Sequence, residues 1–166
     1  PRGLITPFFD GWSLDGWIMA ENHPSLFPSQ MQDVRQDLDH DGTFRITTTS
    51  QLEKANLEAQ ALVEMCNGIP MCKIQFTAAA PFKCWLAVCL RPYNPEGVSF
   101  IYDIKLRTDL AGWKVNGEKD IYLHDKPQRY IFSSYNLGDI SQQIPLYYKN
   151  DHQDPGISCP VGMAGA

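Results

Sequence analysis

The stretch NLEAQALVEMCNGIPMCKIQFTAA, residues 56–79, decides the fold. Its first half has the composition of a helix, rich in Leu, Glu, Ala and Gln. Ser50 followed by Glu53 even makes a capping-box pattern just upstream. The spacing argues otherwise. Leu57, Ala59, Ala61, Val63 and Met65 are apolar at every second place, which is the period of a strand with one buried face. Asn67-Gly68 follows, and both central residues of a type I′ hairpin turn need the positive φ that Asn and Gly tolerate best. Beyond the turn, Cys72, Ile74, Phe76 and Ala78 alternate with Lys73, Gln75 and Thr77. Two alternating runs around an Asn-Gly pair outweigh propensity, so the segment is expected to be a β-hairpin.

The same signals recur on either side. TFRITTTS (43–50) alternates Phe44 and Ile46 with polar neighbours, and VSFIYDIKL (98–106) places Val98, Phe100, Tyr102, Ile104 and Leu106 at alternate positions. FKCWLAVCL (82–90) is apolar on both faces and is expected to be a central strand. Asn116-Gly117 reads as a second hairpin turn, and RYIFSS (129–134) as one more strand. Short strands separated by turn residues imply an all-β fold, an antiparallel β-sandwich of supersandwich or jelly-roll type. It is expected to form a single domain whose core spans 43–140. Residues 1–42 are expected to be an irregular aromatic-rich segment and 141–166 a linker-like tail. The small apolar ending VGMAGA suggests a piece of a longer protein.

The 166 residues, 43% apolar and 20% charged, suffice for a folded domain with a real core. A formal charge of −5 without any basic cluster argues against a nucleic-acid partner. No apolar run approaches the roughly 20 residues of a membrane span, so no membrane partner is expected. Five cysteines (66, 72, 84, 89 and 159) leave at least one thiol unpaired, which suits a reducing compartment and a cytoplasmic location. A Cys66–Cys72 bridge across the hairpin is the alternative for an exported protein. Their spacing does not match a zinc knuckle.

Three features are candidates for chemistry. In DLDHDG, Asp37, Asp39, Asp41 and Gly42 match the first half of a calcium loop, in which alternate carboxylates converge on a hard cation. The expected bidentate Glu is replaced by Thr48, so the competing reading is a solvated Asp-Gly turn. In FFDGWSLDGW, Trp12 and Trp17 could stack on sugar rings or anchor the N-terminal segment by burying large area. Trp85 and Trp113 lie in strand patterns and are expected to be core. The third feature is the loop RPYNPEG, 91–97. Pro92 and Pro95 fix φ and hold their predecessors extended, so Arg91, Tyr93, Asn94 and Glu96 are held in place, either for a ligand or for packing. No catalytic residue is assigned: no Gly-x-Ser-x-Gly elbow or phosphate loop occurs, and the acids Glu96, Asp103, Asp120 and Asp139 cannot be paired from spacing alone.

WLAVCLRPYNPEGVSFI, followed by GWKVNG and then YNLGD, resembles the N-terminal β-sandwich domain of proteins similar to glycogen-debranching enzymes, the amylo-α-1,6-glucosidase-like members of the six-hairpin glycosidase group. The likeness spans about half the chain, roughly 57–140, and the first fifty residues contribute nothing to it. It implies a non-catalytic domain of a larger carbohydrate-active enzyme. A helical catalytic barrel of the same chain would be its partner and an oligosaccharide or polysaccharide the substrate, and no cofactor is implied. The alternative from the residues themselves is a free-standing carbohydrate-binding module using Trp12 and Trp17.

Overall fold

The computed structural model describes residues 3–9, 11–147 and 155–166, with the side chains of 145–147 left out. Among the described residues, half lie in strands and 7% in helix, the sheets are antiparallel, and no barrel closes. The fold is all-β and sandwich-like, as the alternation requires. It packs as two compact units. The first comprises residues 3–7 and 14–88, the second 8–9, 11–13 and the described residues of 89–166. The division falls inside the segment 43–140 that the sequence suggested as one core.

The first unit is dominated by a four-stranded sheet in the order β2-β3-β4-β5, with β2 Val34–Leu38, β3 Ile46–Leu52, β4 Ala55–Cys66 and β5 Ile69–Ala79. The hairpin of 56–79 is present as expected. Cys66 pairs with Ile69 around Asn67 and Gly68, whose φ values are +51° and +79°. Glu53, the would-be helix cap, sits at φ +51° in the turn that joins β3 to β4. Directly opposed residues share a face. Three rows therefore cross one side of all four strands: Val34–Ser50–Leu57–Ala78, Gln36–Thr48–Ala59–Phe76 and Leu38–Ile46–Ala61–Ile74. Leu57 of the first row joins Ile18, Leu26 and Ala55 in the buried core.

Two expectations are corrected in this unit. The strand expected to begin at Thr43 begins at Ile46, because Asp41 accepts hydrogen bonds from both the backbone and the hydroxyl of Thr43 and Phe44 turns at φ +50°. Phe44 is exposed, and Ile46, although on the same face of β3 as Thr48 and Ser50, is exposed as well. The N-terminal segment is not wholly irregular, since it supplies β1 (Ser13–Ala20) as well as β2. β1 is buried almost throughout and pairs with β6, Cys84–Arg91. Of the two, β1 rather than β6 is the fully buried strand. A strand covered on both sides shows no period, which is why it left no alternation to read.

Ser50 lies on the inward face of β3, 1% exposed, and among the described residues its hydroxyl has no hydrogen-bond partner. A buried hydroxyl that has exchanged water for nothing costs stability. Ser50→Ala is therefore expected to stabilise the protein by about 1 kcal/mol, raising Tm by about 2–4 °C. Thermal melting followed by circular dichroism checks this, and a lowered Tm would contradict it.

The second unit holds a sheet in the order β11-β10-β9-β12, with β9 Asp103–Leu106, β10 Gly112–Val115, β11 Lys119–Tyr122 and β12 Gly156–Ser158. A small hairpin joins β7 (Tyr93–Asn94) to β8 (Gly97–Val98). The second Asn-Gly turn is present, with φ +51° at Asn116 and +69° at Gly117. The run 98–106 is broken. Val98, Phe100 and Tyr102 are exposed, whereas Ile101 and Ile104 are fully buried. The phase slips because Asn116 Oδ1 accepts from the N–H of both Tyr102 (2.8 Å) and Asp103 (3.2 Å), in place of a ladder partner. Among the described residues, 129–134 form a single bridge, Ser133 to Gly165, and no strand. The expected tail instead contributes helix α1 (Ile140–Tyr147) and β12, and its last residues are core. Leu90 and Ala166 exchange hydrogen bonds of 2.7 and 3.2 Å, and Ala164 is fully buried.

Candidate functional site

The RPYNPEG loop is built on the turn between β7 and β8, where Pro95 and Glu96 connect Asn94 to its partner Gly97. Asn94 closes the turn, its Oδ1 accepting from Glu96 N–H at 2.9 Å. Its Nδ2 donates to the carbonyl of Gly11 at 3.0 Å, and Ser13 Oγ donates to the carbonyl of Tyr93. The loop thus fastens the segment 11–13 within its own unit. Arg91 and Asp139 form an ion pair at 2.9 Å with side chains 13% and 21% exposed, and the Arg91 guanidinium lies 5.2 Å from the centre of the Tyr93 ring. Glu96 is exposed.

Asp139 precedes α1 and also accepts from Ser141 N–H at 2.9 Å. Burial by itself would raise its carboxyl pKa. The hydrogen bonds from Ser141 and the nearby Arg91 charge outweigh burial and hold it below the usual range. The three phrases that carry the resemblance are therefore physically fastened. Arg91 of RPYNPEG pairs with Asp139 of YNLGD, while Asn116 of KVNG binds the segment that follows RPYNPEG, its Nδ2 donating to Phe100 O at 3.1 Å. Spacing could not pair these groups, because they come together only through tertiary structure.

The other candidates are not brought together. Trp12 and Trp17 are 6% and 0% exposed. Trp12 packs edge-on against Phe8, and Trp17 donates from Nε1 to Asp15 at 2.6 Å, so both are anchors and neither offers a ring face to a sugar. Of the other two, Trp113 is buried and Trp85 half-buried. Asp37, Asp39 and Asp41 do not converge on one point. Asp37 pairs with Arg35 in an extended strand, Asp39 with Arg45 at 3.9 Å, and Asp41 with Thr43, whose hydroxyl and N–H hold its carboxyl below the usual range. Among the described residues no cluster of three potential metal ligands occurs.

The acids Asp139, Asp120 and Asp103 each face a cation, Arg91, Arg107 and Lys105 respectively. A Cys66–Cys72 bridge is not formed, and the register explains why. Cys66 opposes Ile69 and Cys72 opposes Val63, so the two thiols project from opposite faces of the hairpin. Among the described residues no helix is long and apolar enough to cross a membrane.

One exposed aromatic feature escaped the sequence reading. Phe100 and Tyr102 stack with centroids 5.8 Å apart and planes inclined by 22°, both about half exposed. The signal lay in the alternation, which placed these rings on one face without saying which. No family model, curated protein or solved structure matches this chain.

Proposed function

We propose that this chain is a non-catalytic β-domain of a larger carbohydrate-active enzyme, one that supports a following helical catalytic domain. The observation that carries the reading is the fastening of RPYNPEG. Arg91 and Asn94 are both engaged within their own unit, and the loop connects the motifs on which the resemblance rests. Such a loop is a fixture that sets local geometry. The carbohydrate assignment itself rests on the resemblance of RPYNPEG, KVNG and YNLGD to debranching-enzyme-like proteins, an analogy that raises the expectation without showing an activity. Sequencing the reading frame beyond the codon for Ala166 tests it. The expected result is a continuation of several hundred residues rich in paired amphipathic helices, with acidic residues in the connecting loops. A stop codon there would overturn the proposal.

The exposed Phe100–Tyr102 pair favours a second reading, a carbohydrate-binding module that stacks sugars on this pair in place of the buried Trp12 and Trp17. Calorimetric titration with malto-oligosaccharides separates the two. Under the first reading the chain shows no saturable binding at millimolar sugar. Binding that Phe100→Ala and Tyr102→Ala abolish, with the fold intact, would establish the second.

A further inference from the structure

The chain contains two Asn-Gly pairs, Asn67-Gly68 and Asn116-Gly117, and each lies at the tip of a hairpin. Their backbones are alike. Both asparagines sit at φ +51° and both glycines at positive φ, and a Cβ added to either glycine would meet nothing within 4 Å. All four residues are exposed. The side chains differ. Asn116 Oδ1 accepts from Tyr102 N–H at 2.8 Å and from Asp103 N–H at 3.2 Å, and its Nδ2 donates to Phe100 O at 3.1 Å. Among the described residues no hydrogen bond holds the Asn67 side chain. One amide is tied at both its oxygen and its nitrogen, while the other is loose.

We infer that Asn67 is a site of spontaneous deamidation, and that Asn116 is spared by the hydrogen bonds on its side chain. An asparagine before glycine has an intramolecular reaction open to it, because glycine has no side chain to screen its backbone nitrogen. The Gly68 nitrogen attacks Cγ of Asn67, forming a cyclic imide. The Cγ–Nδ2 bond breaks, and the amide leaves as ammonia with the proton lost from Gly68 N–H. Solvent water then adds to one of the two imide carbonyls and opens the ring, giving aspartate or isoaspartate. Nothing is oxidised or reduced, and water is the only co-reactant. Ring closure needs Cγ to swing onto the next nitrogen, and a side chain held elsewhere does not reach that near-attack geometry. Asn116 must first give up its bonds to Tyr102, Asp103 and Phe100, whereas Asn67 gives up none. Either product adds a negative charge to the formal −5. Isoaspartate also routes the main chain through the side-chain methylene, lengthening a two-residue turn whose geometry keeps Cys66 opposite Ile69. This inference stands apart from the carbohydrate reading, because Asn67 lies in none of the motifs that carry the resemblance.

Storing the folded 166-residue chain in mildly alkaline buffer and mapping its tryptic peptides by mass spectrometry over time tests it. Cleavage after Lys54, Lys73, Lys114 and Lys119 puts Asn67 in peptide 55–73 and Asn116 in peptide 115–119. Fragment ions assign the modified residue within each peptide, and a sample digested at the start corrects for conversion during digestion. The mass gain of an amide-to-acid exchange is expected at Asn67, at least about 10-fold faster than at Asn116, since each hydrogen bond that must be released slows the reaction. The same series run in concentrated urea frees both side chains, and there the two rates should converge. Equal rates in the folded chain would overturn the inference. So would a difference that persists undiminished in urea, because it would then come from the neighbouring residues in sequence and not from the fold.

Discussion

Gly112→Ala is expected to destabilise the second unit by about 3–4 kcal/mol, the largest effect of any substitution considered. Gly112 starts β10 at φ +132°, a conformation that residues with a Cβ rarely adopt. An added Cβ would lie 1.9 Å from the carbonyl oxygen of Ile121 and 2.9 Å from its carbonyl carbon, so the obstruction is backbone and cannot rotate away. Retreat is also blocked, because Gly112 O accepts from Arg107 N–H at 3.1 Å. The strand would have to lose part of its pairing with β11. Thermal melting should show a drop of about 10 °C. Hydrogen exchange should then rise in β9, β10 and β11 while the β4 and β5 amides keep their protection. A variant that melts within a degree or two of the parent would show that β10 can shift without loss.

Arg91→Ala ranks second, at about 2–3 kcal/mol. It leaves a mostly buried Asp139 carboxylate without its cation, and a small part of the full cost of an orphaned buried charge is spared by residual exposure. Arg91→Lys should fall between the two, since an ammonium keeps the charge and loses the planar fork. The sign of the pH dependence follows from the depressed Asp139 pKa. A carboxyl more acidic in the folded state than in the unfolded state adds stability above its unfolded pKa, near 4. That stability is lost as pH falls through the folded value. Parent and Arg91→Ala melts compared from pH 7 down to pH 3 should therefore converge in acid. A gap that stays constant would mean that the ion pair is not the source of the difference.

How far such features could be read beforehand depends on where their information lies. The β4–β5 hairpin was legible because its evidence is local: a two-residue period on each side of Asn67-Gly68. Nothing comparable marks β1, since a strand buried along nearly all its length has no polar face to alternate with. The final residues were read as a linker because Ala164, Gly165 and Ala166 are too small to make a pattern. They are core because Ile101, Ser133 and Leu90, distant in sequence, supply their hydrogen bonds. In the candidate site, Pro92 and Pro95 made the stiffness of the loop visible. What the stiffness serves, the Arg91–Asp139 pair, spans 48 residues and has no local trace.

The placement of residues 162–166 has a consequence for how the chain is made. Ile101 exchanges hydrogen bonds with Gly162 and Ala164, and Leu90 with Ala166. A ribosome adding roughly 5–20 residues per second reaches those residues several seconds after Leu90 has been joined. The β4–β5 hairpin needs no such wait, because its two strands are neighbours in sequence and hairpins close in roughly 1–10 μs. The nascent chain therefore passes through a state in which the first unit's sheet can form before Leu90 and Ile101 gain these late partners. That interval is when a chaperone has most to hold.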